Sequence, residues 1–183
     1  MATESTMPAL GTQAPDFALP APATGEIVRL EDFAASPLLV VTFVCNHCPY
    51  VQHVAAGLAQ LGRDLASRGV AMVAISSNDP VSYPQDGPDR MVVEAARHGW
   101  EFPYLHDESQ DVARAYSAVC TPDNFVFDGD WRLVYRGQLD AARPGNDIPV
   151  TAADLRAAVD AVLAGRPVAP EQHPSIGCSI KWR

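Results

Sequence analysis

Positive charge is scarce in this 183-residue chain: 13 Lys and Arg stand against 22 Asp and Glu, a formal net charge of −9. Phosphate binding draws on clustered cations, so this balance argues against nucleic acid as a partner and against an anionic membrane surface. Long apolar runs are missing too. None approaches the ~20 residues that span a bilayer. The opening MATESTMPALGTQAPDF has neither the basic start nor the apolar stretch of a secretory signal. These absences lead to the expectation of a cytoplasmic protein with no membrane association. Cysteine is also sparse. Four residues are too few for a disulfide scaffold at this length, and point instead to redox or metal chemistry. No internal repeat and no low-complexity block divides the chain. With 48 % apolar residues it can close one core.

What is present reads as alternating strands and helices. Residues 1–14 are expected to be a flexible arm, 15–165 a single domain, and 166–183 a tail without periodicity that packs on it. Phe17–Leu19 and Glu26–Arg29 suggest a hairpin around Ala23-Thr24-Gly25, and Glu31–Ala35 a helical turn. Leu38–Val44 (LLVVTFV) is a continuous apolar, β-branched run, the pattern of a strand buried on both faces. Val51, Val54, Leu58, Leu61 and Leu65 recur at intervals of three and four, which places them on one face of a helix ending at Gly69. Val70–Ser76 is a second buried strand, so this stretch predicts a parallel βαβ unit. Residues 78–88 are turn-rich. Helices are expected over Asp89–His98 and Asp111–Tyr116, and a hairpin over Asn124–Asp128 and Trp131–Arg136 around Gly129-Asp130. Thr151 is placed as the cap of a last helix with Leu155, Val159, Val162 and Leu163 facing inward. The predicted class is α/β, with a mixed sheet.

Cys45-Asn46-His47-Cys48-Pro49 falls between the first buried strand and its helix. This spacing lets two sulfurs meet across one helical turn. The unpaired N–H groups and positive dipole end of that turn favour a thiolate, here expected on Cys45. A protonated His47 adds positive charge, and Pro49 suits the first turn, where its missing N–H costs nothing. A CxxC can also be half of a zinc site. No second CxxC or HxxxH accompanies this one, and His53, His98, His106, His173, Cys120 and Cys178 are scattered, so neither metal nor cofactor is expected.

The segments APDFALP (14–20), VTFVCNHCPYV (41–51), AISSNDP (74–80), CTPDNFVFD (120–128), LVYRGQLD (133–140) and IGCSIKW (176–182) together resemble the peroxiredoxin-like, AhpC/TSA-related family of the thioredoxin superfamily. The resemblance implies a thioredoxin-like fold: a central mixed sheet flanked by helices, with an N-terminal hairpin extension and a C-terminal tail. It implies that Cys45 is an exposed attacking thiol and Cys48 its buried partner. It implies that Pro122, after Thr121, is the cis-proline facing the CxxC. The activity implied is thiol–disulfide oxidoreduction in redox homeostasis. Its partners are a disulfide-containing protein or a small thiol or peroxide, and an external dithiol reductant.

The chain departs from its relatives at several positions. Thioredoxin's Trp before the first cysteine is Val44 here, and its buried Asp six residues before that cysteine is Leu39. His47 before the second cysteine resembles the oxidising DsbA-type motif. If Cys48 stands where a peroxiredoxin carries its peroxidatic cysteine, Cys45 and Val41 replace the usual hydroxyl residue and proline. Arg136 and Arg143 are the cations available to polarise a peroxide. Thiol peroxidase is therefore the alternative activity, and a metal-binding or redox-sensing module the second alternative. Cys120 and Cys178 are candidate additional thiols, each with a plain packing role as its rival reading. Asn78 and Asp79 either line the cleft or cap the next segment. Arg136, Asp140 and Arg143 read as a charged surface network, His53 as a solvated helix residue, and Trp100 and Tyr104 as core.

Overall fold

The computed structural model describes residues 2–183. From the N-terminus come the short strands β1 (Ala2–Glu4), β2 (Ala18–Pro20) and β3 (Ile27–Arg29). The βαβ unit follows as β4 (Leu38–Phe43), α1 (Pro49–Ser67) and β5 (Ala71–Ser76). Next are α2 (Pro88–His98), β6 (Tyr104–His106), α3 (Asp111–Ala115), β7 (Cys120–Thr121), β8 (Asp123–Asp128) and β9 (Leu133–Gly137). Helix α4 (Ala153–Leu163) and strand β10 (Ile176–Ser179) complete the order.

The central sheet runs β6-β5-β4-β8-β9. β4 pairs parallel with β5 and antiparallel with β8, so it lies mid-sheet and all six of its residues are buried. Alternation along a strand sends neighbouring side chains to opposite faces. Leu38 and Val40 join the core under α1 and α4, with Val51, Val54, Leu58, Leu61, Leu65, Leu155 and Val159. Leu39, Val41 and Phe43 join a second core on the other face, with Phe125, Phe127 and Tyr116. Each fully buried side chain of this size contributes roughly 1.5–3 kcal/mol relative to exposure. Two apolar layers therefore hold β4, and with it the position of the residues that follow it.

Outside that frame the structure corrects several expectations. The N-terminal arm is not loose. β1 pairs with β10, the Gly11 N–H donates to Leu133 O (2.8 Å), Gln13 bridges Arg132, and Arg136 Nε donates to Pro8 O (2.8 Å); residue 1 lies outside the described residues. β6 is an unexpected third parallel strand, only three residues long and so without a readable period. Thr151 does not cap α4. Asp140, buried rather than part of a surface network, accepts the Thr151 and Ala152 N–H groups through Oδ2 (2.7 and 2.6 Å) and does the work of a cap. Leu163 lies at the exposed end of that helix. β9 begins at Leu133 instead of Trp131, because a bulge at Val126/Phe127 and a positive φ at Trp131 lengthen the turn. The tail contains β10, which inserts between β1 and β7 as the middle strand of a second, three-stranded sheet.

Candidate active site around Cys45 and Cys48

Cys45 sits two residues beyond β4, and Cys48 is the N-cap of α1 with Pro49 in the first turn. The carboxylate of Asp86 pins the intervening loop. Its Oδ1 accepts the N–H groups of Asn46 (2.8 Å) and His47 (3.2 Å), while Oδ2 lies 2.6 Å from His47 Nδ1 and accepts from Asn78 Nδ2 (2.8 Å). Asp86 itself is fully buried. A buried carboxylate is tolerated only with such a complete set of donors. Asn46 is held further by Tyr104 Oη, which donates to its Oδ1 (3.0 Å). The His47 ring stacks on Tyr83, 5.5 Å between centroids and 6° from parallel. A shallow depression of ≈ 320 Å³ opens beside it, lined by Asn46, His47, Gln85, Arg90 and Glu94 among others.

On the opposite side stands the Thr121–Pro122 peptide, which is cis. Thr121 touches both cysteines. Its hydroxyl is 3.4 Å from Cys45 Sγ, and its carbonyl oxygen accepts from the Cys48 thiol (3.2 Å). The two sulfurs also interact with each other, and this separates their acidities. Cys48 is shifted down, first by the hydrogen bond from Cys45, with support from Thr121, Cys178 and the Val51 N–H at the helix start. Cys45 is shifted up, first by its bond to Cys48, then by burial and the negative charge of Asp86. These directions make Cys48, the N-cap residue, the more acidic of the two thiols, where the motif alone suggests Cys45. The helix N–H groups serve the N-cap residue, and the nearest carboxylate faces the other sulfur.

Cys45 is not exposed either: it retains 1 % of its surface and Cys48 none. His47, with about a quarter of its side chain open (26 %), is the more accessible residue of the motif, but it points its Nδ1 at Asp86. Cys120 is buried beside Pro122 and Ser175, its thiol pushed up by burial and by Asp123. Cys178 on β10 lies across from Thr121 and is half-buried, the most open of the four free thiols. Arg136 bonds Pro8 O and Gln172, and Arg143 bonds Asp140 O and Ala142 O; neither reaches the sulfurs. Asp79 caps the turn at Val81 and Ser82, and Asn78 braces Asp86. His53 is half-buried in α1 rather than solvated, its Nε2 without a hydrogen-bond partner. Tyr104 and Trp100 are core residues, as expected.

Asp86 is the residue that sequence reasoning missed. It lies in a loop whose Pro, Asp and Gly content announces only a turn. Leu39 in place of thioredoxin's buried Asp was the available signal that a carboxylate had to come from elsewhere. Side-chain atoms of Cys45, His47 and Asp86 lie within 4.8 Å of one another. Asp86 is already fully engaged by four donors, so the cluster reads as a hydrogen-bonded brace before it reads as a ligand set.

The AhpC/TSA family profile matches residues 10–136, well over half of the chain. The chain belongs to the AhpC/TSA family. No curated protein sequence matches it. Among solved structures it is similar to an uncharacterized conserved protein from Geobacillus kaustophilus (54 % identity, 100 % of this chain and 97 % of that one, TM-score 0.98). It is also similar to a hypothetical protein from Sinorhizobium meliloti (51 %, 99 % and 98 %, TM-score 0.97). A putative thiol:disulfide interchange protein DsbE from Chlorobium tepidum shares the fold at 21 % identity (85 % and 98 %, TM-score 0.66). This AhpC/TSA protein therefore has a thioredoxin-like fold, and its family places it with the oxidoreductases. Among the described residues no helix is long and apolar enough to cross a membrane.

Proposed function

We propose that the protein is a thiol–disulfide oxidoreductase whose couple is Cys45–Cys48. The observation that carries this reading is the pair itself: two thiols at the start of α1, both held against Thr121 beside the cis Thr121–Pro122 peptide. In the reducing direction the Cys48 thiolate attacks one sulfur of a client disulfide. A mixed disulfide forms and one client thiolate leaves, taking up a proton. Cys45 then loses its proton and attacks Cys48, the Cys45–Cys48 bond forms, and the second client thiolate leaves and is protonated. The client gains two electrons and the pair loses two. An external dithiol restores the pair by the same exchange in reverse. His47 and Asp86 fix the loop in which the disulfide closes.

The test is turnover of a protein disulfide with an external dithiol. Wild type is expected to be active, and Cys45→Ser and Cys48→Ser each inactive. Full activity in both variants overturns the reading. A second reading, thiol peroxidase, is favoured by the downward shift of Cys48 and opposed by the absence of a hydroxyl residue at Cys45 and of a free arginine at the sulfurs. Peroxide consumption that survives Cys45→Ser but not Cys48→Ser would establish it. Stoichiometric zinc or copper in the reduced protein would favour the metal-binding reading.

A further inference from the structure

Cys45 and Cys48 are covered, and the cover is specific. β10 runs antiparallel to β7, with Cys178 opposite Thr121 and Ser179 opposite Cys120. It lies so close that a Cβ on Gly177 would stand 1.9 Å from the Thr121 carbonyl oxygen. β1 pairs along its other edge, placing Ala2 opposite Cys178. Beyond β10 the chain is tied down again. The Lys181 N–H donates to Asn78 Oδ1 (2.8 Å), and Lys181 O accepts from Asp79 N and Gln110 Nε2 (both 2.8 Å). Arg114 lies 5.0 Å over the Trp182 ring. Peeling this strand away would break two ladders and these anchors together. Cys45 and Cys48 are buried as they stand, so a protein disulfide reaches them only if their surroundings move or a more open thiol carries the exchange.

Cys178 is that thiol. Thr121 holds Cys48 through its carbonyl oxygen, touches Cys45 through its hydroxyl and pairs with Cys178 through its backbone, so three thiols converge on one residue. Cys178 packs against the core that contains Cys45 and Cys48, and it keeps the solvent exposure that they lack. We propose that Cys178 is the entry thiol of a three-cysteine relay, receiving the client disulfide and passing it to Cys48 and then to Cys45. This rests on the Cys45–Cys48 couple proposed above. The Cys178 thiolate attacks the client disulfide, forming a Cys178–client bond and releasing one client thiol. The Cys48 thiolate attacks the Cys178 sulfur, forming Cys48–Cys178 and releasing the second client thiol. Cys45 attacks Cys48, closing Cys45–Cys48, and the electron pair and proton return to Cys178. Two electrons pass to the client and no further oxidant enters.

Cys48 and Cys178 each perturb the other. Cys178 is raised to about 11, first by burial and then by Cys48, with the Lys181 ammonium opposing, so it rests as a thiol and gives up its proton as it attacks. β10 lies outside the 10–136 stretch that matches the family profile.

The experiment uses the full chain and glutathione disulfide as probe, with peptide mapping of the products. In Cys45→Ser the relay stops one step early and is expected to accumulate a Cys48–Cys178 disulfide. Persistent glutathione on Cys48 with Cys178 free overturns the proposal. Wild type read at short times is the control that needs no substitution: glutathione is expected first on Cys178, and glutathione first on Cys45 or Cys48 overturns it. In Cys178→Ser, reduction of a protein disulfide is expected to fall roughly tenfold or more, while the Cys45–Cys48 disulfide still forms with a small oxidant. An unchanged rate counts against the relay. Failure of Cys45–Cys48 to form in wild type is a separate result, and refutes the couple instead.

Discussion

The two sheets of this molecule are held by different means. The central sheet is an apolar object: β4 is buried on both faces, and its neighbours fill two cores with Leu, Val and Phe. The small β1-β10-β7 sheet contributes little apolar surface. Its strands are two to four residues long, and it is closed by backbone pairing, one tight glycine and polar anchors around Lys181. The first positions Cys45 and Cys48. The second covers them. Stability and access are thereby assigned to separate structures, and perturbing each should give a different signature.

The largest loss of stability is expected from Phe125→Ala in β8. Phe125 is fully buried and meets Phe43 and Tyr116 edge-on, with ring centroids 5.9 and 6.0 Å away. Removing it should cost about 3–5 kcal/mol, read as a lowered denaturant midpoint. A loss well under 1 kcal/mol would mean that the central core does not dominate. Gly177→Ala attacks the small sheet instead. The added methyl cannot coexist with the Thr121 carbonyl at its present distance, so β10 must move. The cost is expected to be about 1–3 kcal/mol, with faster alkylation of Cys45 and Cys48. Unchanged alkylation would show that β10 is not what shields them.

The effect least visible at any single pH is a slope with pH. Asp123, at the join of the two sheets, is buried with neither carboxyl oxygen hydrogen-bonded, and that burial raises it to about 8. A carboxyl raised in the folded state binds its proton more tightly there than in the unfolded chain. Its favourable contribution is full below the unfolded value near 3.8, and is lost as pH rises through about 8. Asp123→Asn should flatten the fall in stability between those limits. An unaltered slope would remove Asp123 from the balance.

The same contrast decides how much of the molecule was legible in the sequence. LLVVTFV and the Val51–Leu65 face carry their burial in their residue types, so the βαβ unit and the place of the CxxC could be read directly. β10 (IGCS) and β1 (ATE) are strands because partners meet them from far along the chain, and no local pattern records that. Asp86 was hidden for a related reason. It acts through donors from Asn46, His47 and Asn78, which come together only when two loops fold against each other. Thr151 was misassigned as the cap because Asp140, from the preceding loop, supplies the acceptor that a local reading gave to the nearest hydroxyl. Exposure of Cys45 could not be judged from the motif either, since Thr121, whose hydroxyl meets its sulfur, lies 76 residues away.

The most direct test of the account is disulfide mapping of wild-type protein equilibrated across a series of glutathione redox buffers. The account predicts that Cys45 and Cys48 pair reversibly with one another, at a single two-electron potential, while Cys120 remains a thiol throughout. Cys45 and Cys48 both staying reduced across the series, or each pairing only with glutathione, would contradict it.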